Sequence, residues 1–122
     1  MSGGISIHCV DVARGRVAVG LRVALRRLEG DGAARGALLC EGVVGDNGLL
    51  QHPALMGEAI TAGGYEVVFD VGDFYRASGG EALGPGFLER VPYHFHIKDV
   101  AQHYHLPLKF TPWGFSLFRG GA

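Results

Sequence analysis

Apolar and polar residues alternate with a period near two along most of the chain, which is the pattern of half-buried β-strands. In the first run Ile5, Ile7 and Cys9 share one face, and the residues between them share the other. β-branched and aromatic residues, which pleated sheets favour, recur in these runs. The predicted strands lie at residues 5–12, 21–28, 37–44, 65–71, 91–98, 103–111 and 115–119.

Helical spacing is scarce, and its best candidate is the segment VGDFYRA at residues 71–77. Asp73 is the expected N-cap, and Gly79 with Gly80 is the expected stop. Turn-forming Gly, Asp and Asn residues predict loops at 30–36, 45–48 and 78–86. One short helix among seven or eight strands predicts a sandwich of two sheets.

The length and charge of the chain indicate its class. Its 122 residues predict a single domain, residues 1–122, with a core that needs no disulfide. Eleven basic residues against twelve acidic ones argue against nucleic acid or an anionic membrane as the main partner. The arginines near the N-terminus are interpreted as solvent-facing positions on strands and turns; they are Arg14, Arg16, Arg22, Arg26 and Arg27.

The two cysteines and the N-terminus indicate a cellular setting. Cys9 and Cys40 form no CxxC motif and fall in apolar runs, so both are expected to be buried free thiols. The N-terminus lacks the features of a secretory signal, and no apolar stretch approaches the ~18 residues that span a bilayer. We therefore expect a soluble protein in the reducing cytoplasm.

Histidine supplies the candidate chemistry, because imidazole titrates near physiological pH and serves as a general acid or base. His103 and His105 lie two apart at the head of a predicted strand, so both project from one face. The opposite face carries Leu106 and Leu108 and is the predicted core. His8 lies between apolar neighbours in the first strand, on a face that is not clearly solvent-exposed.

The remaining histidines carry weaker signals. His94 and His96 share a strand face with Lys98 and are interpreted as solvent-facing. Two imidazoles two residues apart could bind zinc with a third ligand, but no Asp, Glu or Cys lies at an obvious completing position. No metal and no cofactor are therefore expected. The sequence contains no motif for binding nucleotide phosphates, no nucleophile-elbow motif of the α/β-hydrolases and no zinc-peptidase motif.

Three segments together resemble one family. The run HYHLPLKFTPWGFSLFRGG at 103–121 resembles the C-terminal signature of the transthyretin-like proteins and 5-hydroxyisourate hydrolases, in which HYH-x-P-L leads to a terminal YRGS. The opening IHCVDVARGRVAVGLRVALRRL at 7–28 is similar to that family's opening, and AGGYEVVFDVGDFYRASG at 62–79 resembles its middle. The resemblance spans nearly the whole chain.

The resemblance implies an all-β, transthyretin-like (prealbumin-like) fold, an eight-stranded Greek-key sandwich with one short helix. It also implies a homotetramer, a dimer of dimers, that binds a small-molecule substrate in a cleft between subunits. In the hydrolases two histidines, an arginine and the terminal serine open the hydroxyisourate ring with water. His8 and His105 stand at the two histidine positions, with His103 as a companion.

At two of the four site positions that the resemblance implies, this sequence carries a different residue. The family's arginine follows an Asp-x-Gly turn, whereas Leu49 follows the turn here, and Gly121 replaces the terminal serine. Loss of one electrostatic partner of a developing oxyanion costs about 10²–10³ in rate. The substrate-binding positions implied by the resemblance are Leu49, His52, Ser116, Arg119 and Gly121.

These departures leave three interpretations open. Gln51, His52 or Arg119 could replace the missing arginine, and the protein would then remain a hydroxyisourate hydrolase of purine catabolism. Alternatively, the histidines catalyse ring-forming, ring-opening or isomerising chemistry on a less charged substrate, which we favour because two roles are lost together. The third interpretation is a non-catalytic protein that binds a small molecule, since fold alone does not determine function.

Overall fold

Eight strands form two four-stranded sheets with a single α-helix in the computed structural model, which describes residues 3–29, 34–79 and 86–121. The first sheet has the strand order β2-β1-β7-β8 and the second has the order β4-β3-β5-β6. The predicted eight-stranded sandwich with one short helix is confirmed. The strands are β1 (Ile5–Asp11), β2 (Arg16–Val17), β3 (Arg22–Glu29), β4 (Ala34–Val43), β5 (Gly63–Asp70), β6 (Arg90–Ile97), β7 (Tyr104–Phe110) and β8 (Phe115–Leu117), and the helix is α1 (Val71–Ala77).

The core lies between the two sheets and uses the apolar positions that alternate along the strands. Ile7 and Cys9 of β1 and Leu108 of β7 are fully buried, as the periodicity predicts. The second sheet contributes its own alternate positions, among them Val67 and Phe69 of β5. The opposite faces of β1 and β7 are therefore left to carry polar side chains.

Strands β1 and β7 are parallel neighbours although they lie at opposite ends of the sequence. Their register pairs Ser6 with His105 and His8 with Pro107. Because side chains at every second position share a face, Ser6, His8 and His105 project from the same outer surface of the first sheet. This pairing brings together histidines that are far apart in sequence.

Several local predictions need correction. The helix spans residues 71–77 as predicted, but Asp70 is its N-cap and Asp73 lies in its first turn. Gly79, with φ of +77°, follows the helix as the expected stop. Strand β4 begins at Ala34, inside the predicted loop, because its pairing with β3 extends that far. Residues 30–33 and 80–85 of the predicted loops lie outside the described residues.

Three short elements were not predicted from the sequence pattern: strand β2 and two 3-10 helices, Pro53–Leu55 and Gly57–Ala59. Each has two or three residues, which is too few to show a period.

The interpretation of Arg14 as a solvent-facing residue was wrong. Its Nε atom donates to the fully buried carboxylate of Asp11 at 2.6 Å, and its guanidinium also donates to the backbone carbonyl of Ser78 at 2.9 Å. The hydroxyl of Tyr75 donates to the other oxygen of Asp11 at 2.7 Å. Arg14 thus neutralises a buried charge, whereas Arg16 and Arg22 are exposed as predicted. Arg26 and Arg27 are half-buried, contrary to the prediction.

Both cysteines are buried and unpaired, as predicted. Burial raises the pKa of the Cys9 thiol to about 12, so this thiol stays protonated and unreactive near neutral pH. Among the described residues, no helix is both long and apolar enough to cross a membrane.

Candidate functional site

A chain of three hydrogen bonds joins β1 to the head of β7 on the outer face of the first sheet. The Oγ atom of Ser6 lies 2.6 Å from Nδ1 of His105 and 2.8 Å from Nε2 of His103. Nδ1 of His103 in turn lies 2.8 Å from the backbone oxygen of Gly3. Ser6 and both histidines are half-buried, so the chain is sheltered without being sealed inside the sandwich.

His8 lies beside this chain, next to a turn that approaches it closely. The segment after the Asp-x-Gly turn runs antiparallel to β1, with Leu49 bridged to His8. The amide of Cys9 donates to the carbonyl of Gly48 at 2.9 Å, and the amide of Leu50 donates to Ile7 at 3.1 Å. The position at which the resemblance implies an arginine is thus held against the first histidine by backbone hydrogen bonds.

The electrostatics of the site favour a neutral His105. Burial lowers the pKa of His105, and the positive charges that His8 and His103 can carry lower it further. A neutral imidazole with an unprotonated nitrogen can accept a proton, so His105 is suited to act as a general base near neutral pH.

The C-terminal residues pack over His105. The amide of Gly120 donates to the carbonyl of His105 at 2.7 Å, and a Cβ atom added to Gly120 would lie 2.8 Å from Cδ2 of the imidazole. The guanidinium of Arg119 donates to Gln102 at 2.9 Å and to the carbonyl of His103 at 3.2 Å. It also stacks over the ring of Tyr104, with 4.2 Å between Cζ and the ring centroid. Arg119 therefore anchors the C-terminal segment.

The other predicted substrate-binding residues occupy more peripheral settings. Nδ1 of His52 accepts a hydrogen bond of 3.0 Å from the amide of Ala54 and caps the first 3-10 helix. Ser116 is exposed on the edge strand β8, opposite Lys109, and Gly121 is exposed. Leu49 is half-buried.

The histidines of β6 lie on the second sheet. His94 and His96 are exposed, as predicted, and Nε2 of His94 lies 3.0 Å from a carboxylate oxygen of Glu66. Within the described ranges, no group of three or more His, Cys, Asp or Glu side chains is arranged to hold a metal ion.

Sequence reasoning missed Ser6 and Gly48 as members of the site. Ser6 shares the alternating face of His8, which is a signal that the pattern contained. Its contacts with His105 of β7 and with His103 just before that strand depend on a strand pairing across 99 residues, which periodicity does not specify. Gly48 was interpreted as a turn residue, and its proximity to the imidazole of His8 is visible only in three dimensions.

Gly48→Ala is expected to destabilise the protein and displace His8. Gly48 has a φ of +82°, and an added Cβ would lie 2.6 Å from Nε2 of His8. The left-handed backbone alone costs about 1–2 kcal/mol with a side chain. Gly15→Ala is the matched control, because Gly15 has a φ of +68° and nothing within 4 Å of the added atom. Thermal unfolding and the NMR signals of His8 measure both effects, and equal behaviour of the two variants would contradict the contact.

Known proteins resemble this chain along its whole length. A sequence model described as the HIUase/Transthyretin family matches residues 5–120. A protein of Rhizobium meliloti named 5-hydroxyisourate hydrolase 2 is 40% identical over 119 residues, which cover 98% of this chain and 97% of that protein. A 5-hydroxyisourate hydrolase of Mesorhizobium japonicum is 41% identical over 118 residues, covering 97% of this chain and 92% of that protein.

Solved structures agree with this relationship. The 5-hydroxyisourate hydrolase of Klebsiella pneumoniae superposes with a TM-score of 0.78 at 27% identity, covering 99% of this chain and all of that one. An (S)-allantoin synthase superposes with a TM-score of 0.84 at 36% identity, and the match covers 98% of this chain but 44% of the synthase. Because the family model matches residues 5–120 and the relatives align over nearly their whole length, this chain belongs to the HIUase/Transthyretin family.

Proposed function

We propose that this protein is an enzyme of the hydroxyisourate-hydrolase type that uses His8 and His105 for acid–base catalysis on a small cyclic carbonyl compound. The observation that carries the proposal is the half-buried His105, whose pKa is lowered by burial and by the nearby His8 and His103. The relatives named 5-hydroxyisourate hydrolase support the reaction type.

The chemistry requires one base and one acid. Neutral His105 accepts a proton from water, and the resulting hydroxide attacks the carbonyl carbon of the ring. Protonated His8 then donates a proton to the ring atom that leaves as its bond to carbon breaks. His105 has gained one proton and His8 has lost one, so the total number of protons on the two imidazoles is unchanged. Proton exchange with water then returns both imidazoles to their starting states.

The surroundings of the two histidines favour a substrate with less negative charge than hydroxyisourate. Leu49 offers no cation, and Arg119 is already engaged by Gln102, by the carbonyl of His103 and by the ring of Tyr104. His52 is occupied at the start of a 3-10 helix. The suggestion that His52 or Arg119 replaces the arginine therefore gains no support, and repurposed ring-opening, ring-forming or isomerising chemistry remains the preferred interpretation.

A second candidate is hydrolysis of 5-hydroxyisourate itself, which the names of relatives aligned over 97% or more of this chain favour. Ultraviolet decay of freshly generated hydroxyisourate, with and without protein, distinguishes the candidates. A decay equal to the spontaneous one excludes this second candidate. A ligand that raises the unfolding temperature and is recovered unchanged indicates binding without catalysis.

We further propose that the cleft is completed by a homotetramer, a dimer of dimers, in the cytoplasm. The support for the oligomer is a set of exposed aromatic residues in the turn before the edge strand β8, in β8 and directly after it. Trp113 is 53% exposed, and Phe115 and Phe118 are each 48% exposed. Exposed large apolar side chains, when they form a patch, are typical of contact surfaces.

Leu49→Arg is expected to raise the rate of hydroxyisourate decay by up to about 10², because a guanidinium beside His8 would stabilise the developing oxyanion. The measurement is initial ultraviolet decay at equal protein concentration. Leu49→Met, of similar size and without charge, is the control and is expected to leave the rate unchanged. Equal rates for the arginine and methionine variants would show that charge at this position does not limit the reaction.

A further inference from the structure

We infer that Ser6 is a positioning residue that fixes the proton on Nδ1 of His105 and leaves Nε2 as the free base. The expected effect on turnover rests on the proposed function, whereas the position of the proton on His105 does not depend on it. The inference is based on a continuous series of hydrogen bonds that runs from His105 through Ser6 and His103 to the backbone oxygen of Gly3.

With His103 neutral, the direction of every bond in this series follows from its last member. A carbonyl oxygen only accepts, so Nδ1 of His103 donates to Gly3. Nε2 of a neutral His103 is then an acceptor, and the hydroxyl of Ser6 donates to it. The Ser6 oxygen has its lone pairs left for His105, whose Nδ1 donates to it at 2.6 Å.

In this arrangement the two ring nitrogens of His105 have different roles. With the proton on Nδ1, the Nε2 atom carries the lone pair that removes a proton from water. After that transfer, the Nδ1 proton can move to the Ser6 oxygen while the Ser6 proton moves to Nε2 of His103. The positive charge then rests on His103, whose Nδ1 still donates to Gly3, and His105 is neutral again with a proton on Nε2.

Nitrogen-15 NMR of the full chain with labelled histidine tests the series directly. At a pH where all the imidazoles are neutral, both His103 and His105 are expected as single Nδ1-protonated tautomers. In Ser6→Ala, His105 is expected to shift toward the Nε2-protonated form, while His103 keeps its proton on Nδ1 because its bond to Gly3 remains. Ser6→Thr retains the hydroxyl and is expected to restore the wild-type tautomer of His105. An Nε2-protonated His105 in the wild type, or an unchanged His105 in Ser6→Ala, would overturn the inference.

Initial rates of ultraviolet decay, measured over a range of hydroxyisourate concentrations, provide the second readout. Ser6→Ala is expected to lower kcat by about tenfold to a hundredfold with little change in KM, the scale found when a hydrogen-bond partner that orients a metal-binding histidine is removed. Ser6→Thr is expected to recover most of kcat. A KM effect alone would contradict a positioning role. If the wild type turns over no substrate while the tautomers behave as expected, the proposed function fails and the hydrogen-bonded series survives.

Discussion

His105→Ala is expected to lower kcat by about 10²–10⁴, the range that a positioned general base contributes. The imidazole at this position is half-buried beside Ser6, and its lowered pKa keeps it neutral and able to accept a proton. Water cannot replace it, because no solvent molecule would be held at the same point with comparable basicity. His8→Ala is expected to have an effect of similar size through loss of the acid.

The control for both variants is His96→Ala, which removes an exposed imidazole from the second sheet and is expected to leave turnover unchanged. Circular dichroism and the unfolding temperature establish that each variant is folded. The wild-type rate is expected to fall as pH decreases through the lowered pKa of His105, below its ordinary value of 6.5, because protonation consumes the base. Full activity in both histidine variants would eliminate the acid–base mechanism.

The sequence specified the faces of the strands but not their partners. The alternation around Ile7 and Leu108 identified the core sides of β1 and β7, because burial of every second residue leaves a direct signal. Nothing in a period of two indicates that these strands pair in parallel, with Ser6 opposite His105. Backbone hydrogen bonds and the packing of the whole sandwich determine that choice.

The histidines were found from sequence by their shared face and by resemblance, whereas their supporting groups were not. Ser6 and Gly48 carry ordinary side chains for a strand and a turn, and their importance comes from what they contact. Arg119 was expected to bind substrate, and its contacts with Gln102 and Tyr104 give it an anchoring position that no motif specifies. Such contacts depend on which elements the fold places side by side.

Arg14→Met is expected to reduce the free energy of unfolding by about 3–5 kcal/mol, the cost of leaving a buried charge without its partner. The carboxylate of Asp11 is fully buried and receives Nε of Arg14 at 2.6 Å. Methionine retains part of the packing against Phe74 and Tyr75, over whose rings the guanidinium lies at 5.4 and 5.1 Å. The loss therefore reports on the ion pair together with the hydrogen bonds from the guanidinium to Ser78.

Urea unfolding of two further variants separates the buried charge from general damage to the turn. Arg16→Met removes an exposed arginine from the same region and is expected to change stability by no more than about 0.5 kcal/mol. Asp11→Asn combined with Arg14→Met is expected to recover part of the loss, because the neutral amide removes the unpaired charge while Tyr75 can still donate to its oxygen. Of these two arginines, only Arg14 contacts the carboxylate of Asp11. Equal destabilisation by Arg14→Met and Arg16→Met would therefore show that the ion pair does not stabilise the fold.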